Sequence, residues 1–153
     1  MEEYQLVVFR LGKEEYGVDI AKVQEIVRIQ EITRIPQAPS FVEGIVNLRG
    51  KIIPIVDLKK RFNLEGEEVS ERDKRVIVVN VSNQTIGIVV DSVSEIIRIS
   101  REDIEPPPPI VAGIEAAYIE GVGKIDKRLI ILLNIEKILT EKEKEEIKAL
   151  KVS

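Results

Sequence analysis

The chain has 153 residues, a net charge of −4, 44% hydrophobic and 33% charged residues, and neither cysteine nor histidine. That balance describes one compact globular domain, or two small ones sharing a core, and excludes a disordered chain. Without cysteine there are no disulfides and no thiolate chemistry; without histidine the commonest general base, the His-dependent triads and most zinc sites are gone.

The first residues, MEEYQLVVFRLGKEEYG, lack the basic start and apolar stretch of a signal peptide, and no run approaches the roughly 18 apolar residues of a membrane span. The expectation is a cytoplasmic protein with no direct membrane insertion. Tyr4 to Leu11 is apolar and β-rich and predicts a strand, followed by a turn at Gly12 and a second strand from Tyr16 to Ile20. Asp19 precedes IAKVQEIV, where Ile20, Val23 and Ile26-Val27 recur at helical spacing, so a short helix is expected there. Val27 to Ile35 reads as extended. Val42 to Leu48 and Lys51 to Val56 predict a hairpin turning at Arg49-Gly50, where glycine supplies the positive φ that a tight turn needs. Asp57 then caps a short helix, LKKRF, and the polar stretch Asn63 to Lys74 is the expected linker.

The second half repeats this order. Arg75 to Val81 and Thr85 to Val90 predict strands around the turn Ser82-Asn83-Gln84, and Asp91 is expected to cap a short helix through SVSEII. Pro106 to Pro109 can only be polyproline-like or a rigid loop. Tyr118 to Ile125 and Leu129 to Leu133 predict a hairpin, and a C-terminal helix is expected over 134–151.

The parallel is a true internal repeat. Sliding residues 16–36 by seventy positions sets Gly17 on Gly87, Val23 on Val93, Glu25 on Glu95, Ile26 on Ile96 and Arg28 on Arg98. Further along, Glu43-Gly44 falls on Glu120-Gly121 and Ile53 on Ile130. Two copies of one strand-rich unit predict two similar barrels packed together, with two similar sides on which to hold partners. The sequence leaves open whether strand 4–11 belongs to the first or the second barrel.

Little in this pattern carries chemistry. Gly121-Val122-Gly123 lacks the context of a nucleotide loop and reads as a strand kink. The acidic runs Glu14-Glu15 and Glu65 to Glu68 read as solvated surface. The acidic balance and the 4% aromatic content give no reason to expect a nucleic-acid partner. No catalytic residue, metal site or cofactor is indicated. Arg49 at its hairpin apex is either an ordinary exposed turn residue or a guanidinium presented to a partner carboxylate or carbonyl.

The blocks EEYGVDIAKVQEI, ITRIPQAPSFVEGIVNLRGKIIPIVDL and IGIVVDSVSEI, in this order, closely resemble the CheW-type chemotaxis coupling proteins. The resemblance covers about residues 4–140, and its most specific piece runs from Glu43 to Leu58. It implies a mainly β domain over 1–153: two intertwined five-stranded SH3-like barrels around a shared core, about 12–66 and about 67–140, with short helices. It implies a non-enzymatic adaptor without cofactors. Such an adaptor binds the cytoplasmic tip of methyl-accepting chemotaxis receptors and the regulatory domain of the histidine kinase CheA. It is recruited to membrane-bound receptor arrays, with contacts between CheW copies also implied there. Carried onto this sequence, the resemblance makes Val23, Glu25, Gly44 and Arg49 a receptor-facing patch. The edge of the first barrel, with Val27 and Ile29, is the expected kinase contact.

Overall fold

The structure, a computed structural model, describes residues 3–62, 64, 70–111 and 114–149. Half of the expected linker (63 and 65–69) and the expected end of the C-terminal helix at Lys151 lie outside the described residues. In chain order the strands are β1 (Glu3–Leu11), β2 (Glu14–Asp19), β3 (Val23–Arg28), β4 (Val42–Leu48), β5 (Lys51–Asp57), β6 (Arg75–Val81), β7 (Gln84–Val90) and β8 (Ser92–Ser100). They continue with β9 (Ile104–Glu105), a small hairpin of β10 (Ile110–Val111) and β11 (Ile114–Glu115), β12 (Ile119–Ile125) and β13 (Arg128–Leu133). The helices are α1 (Leu58–Arg61) and α2 (Glu141–Lys148), with single 3₁₀ turns elsewhere.

The protein is mainly β, built from two main sheets. One runs β3-β6-β7-β5-β4 and the other β8-β1-β2-β13-β12-β9. Each sheet closes on itself, because the chain leaving its first strand returns to the free edge of its last. Thr33, beyond β3, exchanges two 2.9 Å backbone bonds with Ile45 of β4. Beyond β8, β9 pairs with β12 at Ile104↔Gly123 and Glu105↔Val122. Counting β8 and β9 as one bent strand, both are five-stranded barrels with corresponding strand order.

The repeat units and the barrels do not coincide. The five-stranded sheet takes residues 23–90, whereas the other takes 3–19 and 92–133, so a division at 66/67 cuts through both. The cause lies at the junction after β2. Asp19 caps a 3₁₀ turn through a 2.9 Å bond from the Ala21 amide. The turn sends the chain to pair β3 with β6 of the second unit. Likewise β1 lies between β2 and β8 and so serves both units.

Three apolar clusters follow. Val46, Leu48, Ile53, Ile55, Val76 and Val78 fill one barrel, and Leu6, Val8, Ile99, Ile130 and Leu132 fill the other. A larger cluster lies between the barrels and draws on both sheets, including Phe9, Tyr16, Val56, Leu58, Ile77, Ile88 and Ile131.

Several expected elements differ. The helix expected from Ile20 is one 3₁₀ turn followed by strand β3, and the helix expected after Asp91 is strand β8. In both places the available sheet edge overrides the apparent helical spacing. Asp91 is no helix cap. It sits buried where the chain crosses between barrels, accepts from the Gly12 amide at 2.8 Å, and pairs with Lys59 Nζ at 2.8 Å. The C-terminal helix is not continuous from Asn134. A 3₁₀ turn at Ile135–Lys137 buries Ile138 and Leu139 behind it, and α2 restarts at Thr140 with a capping box.

Bulges and glycines repeat with the strands. Register shifts occur between Val42 and Gly44 and between Ile119 and Gly121, leaving Glu43 and Glu120 as the extra residues. Gly44, at φ +148°, lies under the returning chain, where a Cβ would sit 2.8 Å from the Thr33 carbonyl carbon and nearer still to its oxygen. At Gly121 a Cβ would meet Glu105 O at 2.8 Å. Each glycine therefore lets the closing segment cross its strand. Gly44→Ala and Gly121→Ala should each cost about 2–4 kcal/mol, since backbone blocks the added atom. Gly17→Ala, where the added atom meets side chains and no backbone, Ile130 Cγ2 at 3.2 Å and Leu6 Cδ1 at 3.4 Å, should cost less. Chemical denaturation of the three variants checks this, and equal losses would sink the seam explanation.

Candidate functional site

The sequence singled out six residues, and the structure separates them. Glu25 on β3 and Arg49 at the β4–β5 turn come together as an ion pair across the barrel seam. The turn fits its sequence: Arg49 and Gly50 have φ of +53° and +86°, and Asn47 Oδ1 accepts from the Gly50 amide at 2.8 Å. Arg49 is 68% exposed at its side chain and Glu25 23%, so the carboxylate sits deeper and the guanidinium lies over it. Arg49 thus already holds a carboxylate, one from its own chain.

Val23 does not join that pair. It packs half-buried on the inter-barrel core. Gly44 is buried beneath Ile32 and Thr33 rather than open to a partner. Val27 and Ile29 turn inward against the cluster that fills their own barrel. The register explains the alternation: Glu25 and Val27 oppose Val78 and Val76, which face the barrel interior, whereas Ile26 opposes Ile77 on the other face.

The outward apolar side chains are others. Ile26 and Ile52 are 36% and 48% exposed, and their repeat equivalents Ile96 and Leu129 are 56% and 55% exposed. Each barrel therefore presents the same two apolar residues, one on the strand that crosses between units and one on its hairpin. The repeat offset that pairs Ile26 with Ile96 was visible in the sequence; their exposure was not, because an isoleucine in a strand reads as core.

A second ion-pair cluster closes the other barrel. Arg128, at the start of β13, donates to both Glu15 oxygens at 3.1 and 2.7 Å and to Glu95 at 3.3 Å. Glu95 is the repeat equivalent of Glu25. The Arg128 hydrogen bond holds the Glu15 carboxyl below its ordinary range against the opposing effect of burial. Near the first seam, Lys60 pairs with the bulged Glu43. Burial raises the Asp57 carboxyl even though it accepts the backbone hydrogens of Lys59 and Lys60. Among the described residues, no group of three acidic side chains could hold a metal ion, and no helix is long and apolar enough to cross a membrane.

An exposed pair of this kind contributes little to stability, about 0.2–1 kcal/mol. A double-mutant cycle on Arg49→Ala and Glu25→Ala, read by denaturant unfolding, should return a coupling energy in that range. A coupling above about 2 kcal/mol would make the pair a structural pin rather than a surface feature.

The comparisons agree with this architecture. The family model described as "CheW-like domain" matches residues 5–143. The chain is 42% identical over 145 residues to the chemotaxis protein CheW of Treponema pallidum, covering 93% of this chain and 85% of that one. It is also 42% identical over 139 residues to the chemotaxis protein CheW of Klebsiella aerogenes, covering 91% and 83%. The crystal structure of the scaffolding protein TtCheW from Thermoanaerobacter tengcongensis superposes with a TM-score of 0.85 at 43% identity, covering 94% of this chain and 92% of that one. With a family match over most of its length, on two barrels that share a core, the chain belongs to the CheW-like domain family.

Proposed function

We propose that the protein is a non-catalytic chemotaxis adaptor that joins methyl-accepting chemotaxis receptors to the histidine kinase CheA. It binds the receptor's cytoplasmic tip and the kinase's regulatory domain, and so takes its place in a membrane-bound receptor array. One observation carries the reading. On β3 the Glu25–Arg49 pair lies on one face of the strand and the exposed Ile26 on the other. Two faces are what an adaptor needs, and exposed apolar residues suit protein partners. The relatives' names, which place them in chemotaxis, and the scaffolding description of TtCheW support the same function.

Within this reading the Glu25–Arg49 pair forms the polar centre of the receptor contact. Gly44 and Val23 hold the seam and the strand that present it. The kinase contact is assigned to the β3 edge: Ile26 reaches outward, while Val27 and Ile29 anchor the strand from within. Arg49 can exchange its intramolecular carboxylate for one on the receptor at small cost, because the pair is exposed.

Arg49→Ala should weaken binding to a purified receptor-tip fragment by about ten-fold, as expected for loss of one charge-assisted contact. Its binding to the CheA regulatory domain should stay within about two-fold of the wild type. Separate titrations by calorimetry decide it. A loss confined to the kinase side would reverse the assignment, and a wild-type protein that binds neither partner would refute the function.

A further inference from the structure

The two barrels meet around one arginine that the repeat does not duplicate. Phe41 and Tyr118 are equivalent residues, one preceding β4 and the other preceding β12. Their carbonyls accept from equivalent amides, Asp57 at 2.8 Å and Asn134 at 2.9 Å. Between their rings lies the Arg61 guanidinium, 5.8 Å from the Phe41 centroid and 5.2 Å from Tyr118, with Phe62 at 5.9 Å. Cation–π contacts of this kind strengthen when the cation is desolvated. The repeat sets Ile138, a core residue, where Arg61 stands, so the charge belongs to one unit alone.

Arg61 Nη2 donates to Glu143 Oε1 at 3.0 Å, whereas its buried Nε finds no acceptor among the described residues. The same Glu143 oxygen accepts from the Thr140 amide at 2.7 Å and so completes the cap of α2. The chain reaches α2 from β13 of the six-stranded sheet, yet α2 lies on the five-stranded barrel. Lys144 Nζ donates to Ser82 Oγ at 3.0 Å, and Gln84 Nε2 donates to the Lys144 carbonyl at 3.2 Å. The sequence of α2, EKEKEEIK, offers Ile147 alone to the core. Eight residues are too few for a helix that stands by itself in water. Its docking therefore rests on its polar contacts.

We propose that α2 is a strap that fastens the chain leaving the six-stranded sheet onto the five-stranded barrel, with the Arg61–Glu143 pair as its fastening. Release of that one contact frees α2, while the shared core keeps both barrels folded and in place. Glu143→Gln tests the charge alone, because glutamine preserves the capping box. Arg61→Met removes the guanidinium and keeps the aliphatic stem.

Hydrogen exchange on the full chain should show the α2 amides, 141–149, exchanging about ten- to a hundred-fold faster in both variants, the range expected for a lost bond between charged groups. Amides of β6, β7, β12 and β13 should keep their protection. Since the protein has no cysteine, spin labels at Arg28→Cys and Lys127→Cys, one in each barrel, can report their separation; its distribution should stay as narrow as the wild type's in both variants, because the shared core holds the barrels. Unchanged α2 exchange would overturn the proposal. So would an equal loss of protection in the strands, or a distance distribution broader than the wild type's.

Discussion

Neither half of the repeat can close a barrel from its own strands. Each unit gives two strands to one barrel and three to the other: β1 lies between β2 and β8, and β3 completes its sheet on β6. This exchange makes the inter-barrel cluster of Phe9, Tyr16, Leu58, Ile77 and Ile131 a common core rather than an interface between finished domains. A buried core of this size is close-packed and transmits displacement rather than absorbing it. The two outward faces are therefore held in fixed relation, which is what a protein without chemistry of its own can offer its partners.

The seams show how duplication and specialisation divide the work. Both barrels close by a segment that crosses a glycine, Gly44 or Gly121, beside a bulged glutamate. Both bring an arginine of the following hairpin to the glutamate of the crossing strand. There the copies diverge. Arg128 engages Glu95 and also grips Glu15 of the neighbouring strand β2 with two bonds, so that guanidinium is committed to two carboxylates. Arg49 engages only Glu25 among the described residues and remains largely exposed. A singly held, exposed guanidinium can be shared with a partner at lower cost than one already committed to two carboxylates. Arg61 is a second departure from symmetry, again a charge present in one unit and matched by an apolar residue, Ile138, in the other.

Much of the fold was legible in the strands and turns. The limits of β4 and β6 coincide with the expected ones, and Gly12, Gly50 and the Ser82-Asn83 pair turn where turn chemistry places them. The misread helices share one physical cause. A bulge between Val23 and Glu25 inserts an extra residue, so Val23 and Ile26 fall on the same face at a spacing of three, which imitates a helix. The bulge opposite Val8 and Phe9 does the same for Val93 and Ile96. Of the candidate site, the family resemblance set Glu25 and Arg49 in one patch, but the ion pair between them appears only in the fold. The burial of Gly44 and the inward aim of Val27 and Ile29 depend on which strand crosses where, and that is a long-range fact that no local pattern records.

The functional account depends on two faces that work at once. A receptor-tip fragment and the CheA regulatory domain, each at saturating concentration, should form a single complex with the protein in which all three sediment together at one copy each. Sedimentation velocity on the mixture reads this directly. If instead the second partner displaces the first, leaving only binary complexes, the faces coincide and the adaptor account fails.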